Sequence, residues 1–212
     1  ETVRRAFKVA WTPPWGPTYA TWHSDYTGEQ SRSEIISHKL VDPRMRIRPN
    51  PREVERAARM LVEAERPMLF VGDELYKGKA VDKAVQLAEL LGMPVTQPRQ
   101  VFANFPQIHP LWVGGSAMRT QNPDLVINVG NKLHHFGSAP MVPRNVKFID
   151  MRNDSDSMGN VITTDVPLVA DVGYGLDDLL AALEDLMTPA IRQQGQERAE
   201  RVRAYTDRAR EL

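Results

Sequence analysis

The sequence predicts an α/β domain: a doubly wound, mostly parallel six-stranded sheet with helices on both faces. Three observations carry this. Short, continuous apolar runs such as MLFV, LVINVG and VKFID suit strands buried on both faces of a parallel sheet. Amphipathic stretches at helical spacing alternate with them. Glycine or a Gly–Asp pair follows several of the runs, as strand-to-helix turns require.

The elements follow in chain order. Residues Thr2 to Ala10 read as the end of a helix, followed by a Pro-Gly turn and a short strand from Thr18 to His23. Trp11, Trp15 and Trp22 lie here, more aromatic surface than one helix and one strand bury. Residues 28–49 have no sustained periodicity and read as a linker. Arg44, Arg46, Arg48 and Arg52 cluster along it, as a solvated face or as an anion site. Asn50-Pro51-Arg52-Glu53 is a helix start, with Asn as cap, Pro at the first helical position and Glu where a capping box wants it. Val54, Ala57, Ala58, Leu61 and Val62 supply the buried face. Strand MLFV (Met68 to Val71) comes next, then Gly72-Asp73-Glu74. A helix over about Ala80 to Leu91 stops at Gly92, and PVTQ makes a second strand. LVINVG (Leu125 to Gly130), VKFID (Val146 to Asp150), VITTD and VPLVAD (Val161 to Asp171) complete the strands. Asp171-Val172-Gly173 leads into a helix with Leu176, Leu179, Leu180, Leu183 and Leu186 on one side. The tail after Pro189 is helical in propensity, but its stripe (Ala199, Val202, Tyr205, Ala209, Leu212) is thin, which predicts an outgoing connector.

Composition narrows the function. Lys+Arg and Asp+Glu number 27 each, so the cationic excess a nucleic-acid binder needs is absent. There is no cysteine, which excludes thiolate chemistry and fits a reducing, cytoplasmic setting. No apolar run reaches the roughly 20 residues of a membrane span. The chain starts at Glu1 and is expected to be a piece of a longer protein.

Ligands of such sheets bind beyond the carboxyl ends of the strands. The candidate cofactor-binding residues are therefore Gly72, Asp73, Gly130, Asn131, Lys132, Asp150, Arg152 and Asp171. Asp150 is placed to accept from a ribose hydroxyl, and Lys132 and Arg152 could meet a pyrophosphate. The alternative is that the glycines merely turn the chain. Asp73 and Glu74 could form an acid/base pair, but carboxylates in a helix's first turn are favoured by its dipole anyway. Adjacent His134 and His135 point apart on an extended loop and lack a third ligand with supporting spacing. His109, between Pro106 and Pro110, reads as a turn or core histidine. No P-loop, G-x-S-x-G or dinucleotide fingerprint occurs.

The run from Arg48 to Leu186 resembles the central, Rossmann-like domain of thiamine-diphosphate-dependent enzymes of the acetolactate synthase, pyruvate oxidase and benzoylformate decarboxylase group. The likeness is carried by ERPMLFVGDEL, LAELLGMPVTQ, NFPQIHPLWVGG, DLVINVGNKL, and VKFIDMRNDSDSMGN followed by DVPLVADVGYGLDDLLAAL, in that order. TPPWGPTYATWHSDYTGE looks like the exit of the family's first domain, although His23-Ser24-Asp25 stands where a Pro-containing triplet is usual. The resemblance implies residues 1–27 as the end of a pyrimidine-binding domain, 28–49 as linker, 50–187 as central domain and 188–212 as connector to a diphosphate-binding domain. It implies thiamine diphosphate and Mg2+ in the whole enzyme, with the catalytic glutamate that tautomerises the cofactor and the G-D-G…N motif that holds Mg2+ and diphosphate both outside this segment. It therefore implies no catalytic residue here. The implied partners are the other domains of the same chain, in a homodimer or homotetramer, with neither nucleic acid nor membrane. Some members hold FAD or ADP in this domain. Here Gly114-Gly115-Ser116-Ala117 and Lys132-Leu133-His134-His135 depart from the glycines and arginine of such sites, so an empty shelf is expected. The rival readings are a free-standing module for FAD, ADP or NAD, and a parent that has lost activity and serves as scaffold.

Overall fold

The computed structural model describes residues 2–30, 32, 47–98, 101–133 and 141–211. The chain divides into two compact units, Glu1–Arg46 and Ile47–Leu212. His134 and His135, together with Arg44 and Arg46 of the basic cluster, lie outside the described residues.

In the first unit, helix α1 (Thr2–Trp11) buries no residue. The segment expected as a strand, Thr18 to His23, forms no regular element. A strand needs a ladder partner, and Thr18 Oγ1 instead donates to the Ala6 carbonyl at 3.1 Å, folding the segment back on α1. A short 3-10 turn, Ser24–Tyr26, follows, with His23 Nδ1 accepting from Asp25 N.

The second unit holds α2 (Pro51–Glu63), β1 (Pro67–Val71), α3 (Asp73–Lys77), α4 (Val81–Leu91), β2 (Val95–Thr96), α5 (Ala117–Gln121), β3 (Leu125–Val129), β4 (Lys147–Arg152), β5 (Val166–Val169), α6 (Val172–Leu186) and α7 (Pro189–Arg210). The sheet is entirely parallel in the order β2-β1-β3-β4-β5. It has five strands, one fewer than predicted. The VITTD segment is not a strand: Ile162 packs against the smaller apolar cluster on one face of the sheet, and regular pairing begins only at Val166. β-branched residues invited the strand reading, but the chain has just turned at Gly159 and lays Ile162 across the face.

Period-2 alternation sorts the strand side chains. Leu69, Val71, Leu125, Ile127, Val129, Ile149, Met151 and Leu168 face the larger core, under α2, α4 and α6. Met68, Phe70, Val126 and Phe148 face a smaller one, closed by Ala117, Val142 and Val146. Both faces are buried, which is why the strands read as unbroken apolar runs. The Asn50 side chain caps α2 by accepting from Arg52 N at 3.0 Å, and Pro51 occupies the first helical position. Leu111 to Val113 run beside β2, with Val95 N donating to Leu111 O and Val113 N to Val95 O, and so cover that edge of the sheet.

The tail is more firmly seated than its thin stripe suggests. Helix α7 packs along α4, burying Gly195, Arg198, Val202 and Thr206. The crossing depends on two glycines. Gly92 ends α4 at φ 63°, and a Cβ there would lie 2.0 Å from the Gly195 carbonyl oxygen. The apolar stripe missed this because close backbone approach, not side-chain volume, makes the contact.

Candidate functional site

In an open α/β sheet the crevice forms where the strand order reverses. With the order β2-β1-β3-β4-β5, that point lies between the carboxyl ends of β1 and β3, at Gly72 and Gly130. The structure gathers all eight predicted residues along the β1, β3 and β4 ends of this edge and at the foot of α6. It also shows what each one touches.

Gly72 and Gly130 bring two loops into direct contact. A Cβ on Gly72 would lie 2.2 Å from Asn131 Cα, and one on Gly130 2.7 Å from Glu74 Cβ. Gly130 sits at φ 70°, the left-handed region that favours glycine. The backbone donors are used in the same closure: Gly72 N donates to Val129 O, Glu74 N to Gly130 O, and Gly130 N to Met151 O. The glycines thus permit the chain to approach itself.

Asp73 and Glu74 diverge. Asp73 Oδ1 accepts from Asn104 Nδ2 at 2.9 Å and from Phe102 N at 3.3 Å, fixing the loop after β2. Glu74 Oε2 accepts from Asn153 N at 2.9 Å, reaching across the end of β3 to the loop after β4. The two carboxyls therefore do not form an acid/base pair. Burial pushes the Glu74 carboxyl up to about 7; the Asn153 hydrogen bond and the Arg152 charge oppose this, while Asp150 and Asp154 add to it.

The cations are paired. Asp150 and Arg152 form a buried bidentate pair, Arg152 Nε and Nη2 donating at 2.9 and 2.7 Å. Asn128 Nδ2 donates to the same Asp150 at 2.8 Å and to Asn131 O at 2.8 Å. Arg152 Nη1 donates to Ser157 Oγ, whose hydroxyl donates to Asp154. Lys132 Nζ lies 3.2 Å from Asp154. Burial would raise the Asp154 carboxyl, but hydrogen bonds from Ser157 and Lys132, with the charges of Lys132 and Arg152, outweigh it and hold the group below the usual carboxylate range. Asp171 is consumed as the cap of α6, accepting from Gly173 N at 3.0 Å.

Sequence reasoning missed Asn128, Asn153, Asp154 and Ser157. Asn128 carried a signal: an amide in the middle of LVINV must find partners when the strand is buried on both faces. Two atoms here, Asn128 Oδ1 and Asn131 Nδ2, are buried and find no partner among the described residues. Of the other candidates, His109 Nδ1 accepts from Leu111 N and its Nε2 faces Glu89 at 3.3 Å, which closes a turn. Arg48 pairs with Asp178 and lies over the Tyr174 ring on α6. Among the described residues, no cluster of three or more His, Asp or Glu has a metal-holding arrangement, and no helix is long and apolar enough to cross a membrane.

Comparison with known proteins agrees with this architecture. A sequence model of the family described as thiamine pyrophosphate enzyme, central domain, matches residues 54–183. The sulfoacetaldehyde acetyltransferase of Castellaniella defragrans is 31% identical over 205 residues, covering 91% of this chain and 34% of that protein. A probable acetolactate synthase large subunit of Methanocaldococcus jannaschii is 28% identical, over 86% of this chain and 33% of the relative. The crystal structure of benzoylformate decarboxylase from Polynucleobacter necessarius superposes with a TM-score of 0.70 at 22% identity, over 86% of this chain and 36% of that one. The chain thus spans about a third of the length of the relatives it matches. The reading as a free-standing nucleotide module gains no support from these likenesses.

Proposed function

This chain belongs to the thiamine pyrophosphate enzyme family, whose central domain it contains, and from that premise we propose that it is part of a thiamine-diphosphate-dependent lyase or transferase of the acetolactate synthase kind. The whole protein would decarboxylate a 2-keto acid or join its acyl carbon to an acceptor. Thiamine diphosphate, with Mg2+, supplies the electron sink for that chemistry. This chain's own contribution is structural. Its α/β unit spaces the cofactor-binding domains, residues 1–27 form the end of the pyrimidine-binding domain, and residues 188–212 lead toward the diphosphate-binding domain. Assembly as a homodimer or homotetramer in the cytoplasm, without nucleic acid or membrane, belongs to the same reading.

The observation that carries it is the coincidence of the matched span, 54–183, with a compact α/β unit whose edge acids and bases are bonded to one another. Groups so engaged position loops and are poorly placed to transfer protons to a substrate. The names of the relatives point to 2-keto acid or acetyl-transfer chemistry.

The test compares the protein encoded by the complete reading frame with residues 1–212 alone, using pyruvate, benzoylformate and sulfoacetaldehyde with added thiamine diphosphate and Mg2+. Turnover by the former that depends on the cofactor, with none from the latter, is expected. Turnover by residues 1–212 alone would overturn the reading, as would an inert complete protein.

A further inference from the structure

We infer that the nucleotide crevice of this domain is sealed by the chain itself, with the Glu74 side chain lying where a dinucleotide's pyrophosphate would rest. Three independent observations lead there.

The first is space. The reversal point of the strand order is where a pyrophosphate would enter, and there the β1 and β3 loops touch. Gly72 lies against Asn131 and Gly130 against Glu74, too closely for even a methyl group on either glycine. In a nucleotide-binding turn, glycines let a ligand approach the backbone. Here the approaching group is the neighbouring loop.

The second is hydrogen bonding. A phosphate on such an edge is held by backbone N–H groups left over from the strands and turns. Those of Gly72, Glu74, Gly130 and Ala170 are bonded to backbone carbonyls, and that of Asn153 to the Glu74 carboxyl. The Asp171 N–H donates to Ile47 O.

The third is charge. Lys132 and Arg152 face three carboxyls, those of Glu74, Asp150 and Asp154. Arg152 is already bidentate to Asp150, and Lys132 is paired with Asp154. Neither cation is left over for a dianion. Asp150, the residue suited to a ribose hydroxyl, has its two oxygens occupied by Arg152 and Asn128. The FAD or ADP known from other members of the family does not fit this edge.

The experiment uses the complete protein, saturated with thiamine diphosphate and Mg2+ so that its own diphosphate site is filled. The protein is purified without added nucleotide and acid-precipitated, and the supernatant is read for flavin by absorbance and for ADP by mass spectrometry. Calorimetric titrations with FAD and with ADP follow, on wild type and on K132A, whose truncated side chain is exposed and expected to fold. A sealed edge predicts no stoichiometric nucleotide and no saturable heat. Binding that is unchanged in K132A lies elsewhere and also agrees with a sealed edge. One equivalent of flavin or ADP in the wild-type supernatant that is lost in K132A overturns the inference, as does saturable binding that weakens several-fold in K132A. Turnover is measured on the same samples. Its absence would count against the proposed function and leave this inference standing.

Discussion

The Arg152 guanidinium grips the Asp150 carboxylate two residues back on the same strand, and both side chains are almost wholly buried. Replacing Arg152 by Met would leave Asp150 charged, buried and held only by Asn128. Breaking a buried pair in this way costs about 3–5 kcal/mol. R152M should therefore lower the urea midpoint strongly, whereas the double variant D150N/R152M should recover much of the loss. A small effect of R152M alone would mean that water reaches the pair.

Glu74 makes stability depend on pH. Its carboxyl is raised from 4.5 to about 7, chiefly by burial. A folded value above the unfolded one means the protonated form is favoured in the fold. The stability this contributes is fully present below about 4.5 and is lost as pH rises through about 7. After solvent screening the loss is on the order of 2 kcal/mol. E74Q can keep the bond from Asn153 but cannot ionise. Its stability should match wild type near pH 4.5 and exceed it at pH 8, read from urea unfolding at both. An offset that does not change with pH would refute the burial argument.

The α4–α7 crossing should be intolerant of a single methyl. In an exposed helix, Gly-to-Ala stabilises by up to about 1 kcal/mol. At Gly195 a Cβ would lie 2.9 Å from the Leu90 carbonyl oxygen, so G195A should destabilise instead. Hydrogen exchange should rise across residues 189–210 while β1 and β3 stay protected. Uniform loss of protection would place the defect in the whole unit.

Arg198 presents the reverse case. It is buried on α7, and its Nη1 finds no partner among the described residues. Burial, with the neighbouring Arg201 charge, lowers its pKa, and Asp124 only partly compensates. A group so placed costs stability, so R198M should be neutral or more stable by about 1 kcal/mol in thermal unfolding. A clear loss would show that the guanidinium holds a partner.

How much of this was legible in the sequence follows from the physics of each element. Continuous apolar runs gave β1, β3 and β4, since burial on both faces leaves no polar alternation to misread. Asn50-Pro51 and Asp171-Val172-Gly173 announced helix starts because their caps are local. Thr18 to His23 and VITTD were misread as strands, because β-propensity is local and a ladder partner is not. At the site, Gly72, Lys132, Asp150 and Arg152 could be placed at strand ends from their spacing alone. Their mutual engagement could not, because the Glu74–Asn153 bond joins residues 79 positions apart. The role of α7 was hidden for a related reason: glycine carries no hydrophobic signal.

Adjacent acids with different reach serve opposite flanks of the β1 loop: the shorter Asp73 anchors the segment after β2, the longer Glu74 the segment after β4. The order of these two letters is therefore information that composition and net charge do not contain. Exchanging them, as D73E/E74D, conserves both formal charge and atom count, yet leaves one arm a methylene too long and the other a methylene too short. Both moorings should slip together, with amide exchange quickening at Phe102 and Asn153 and unchanged at the centre of β3.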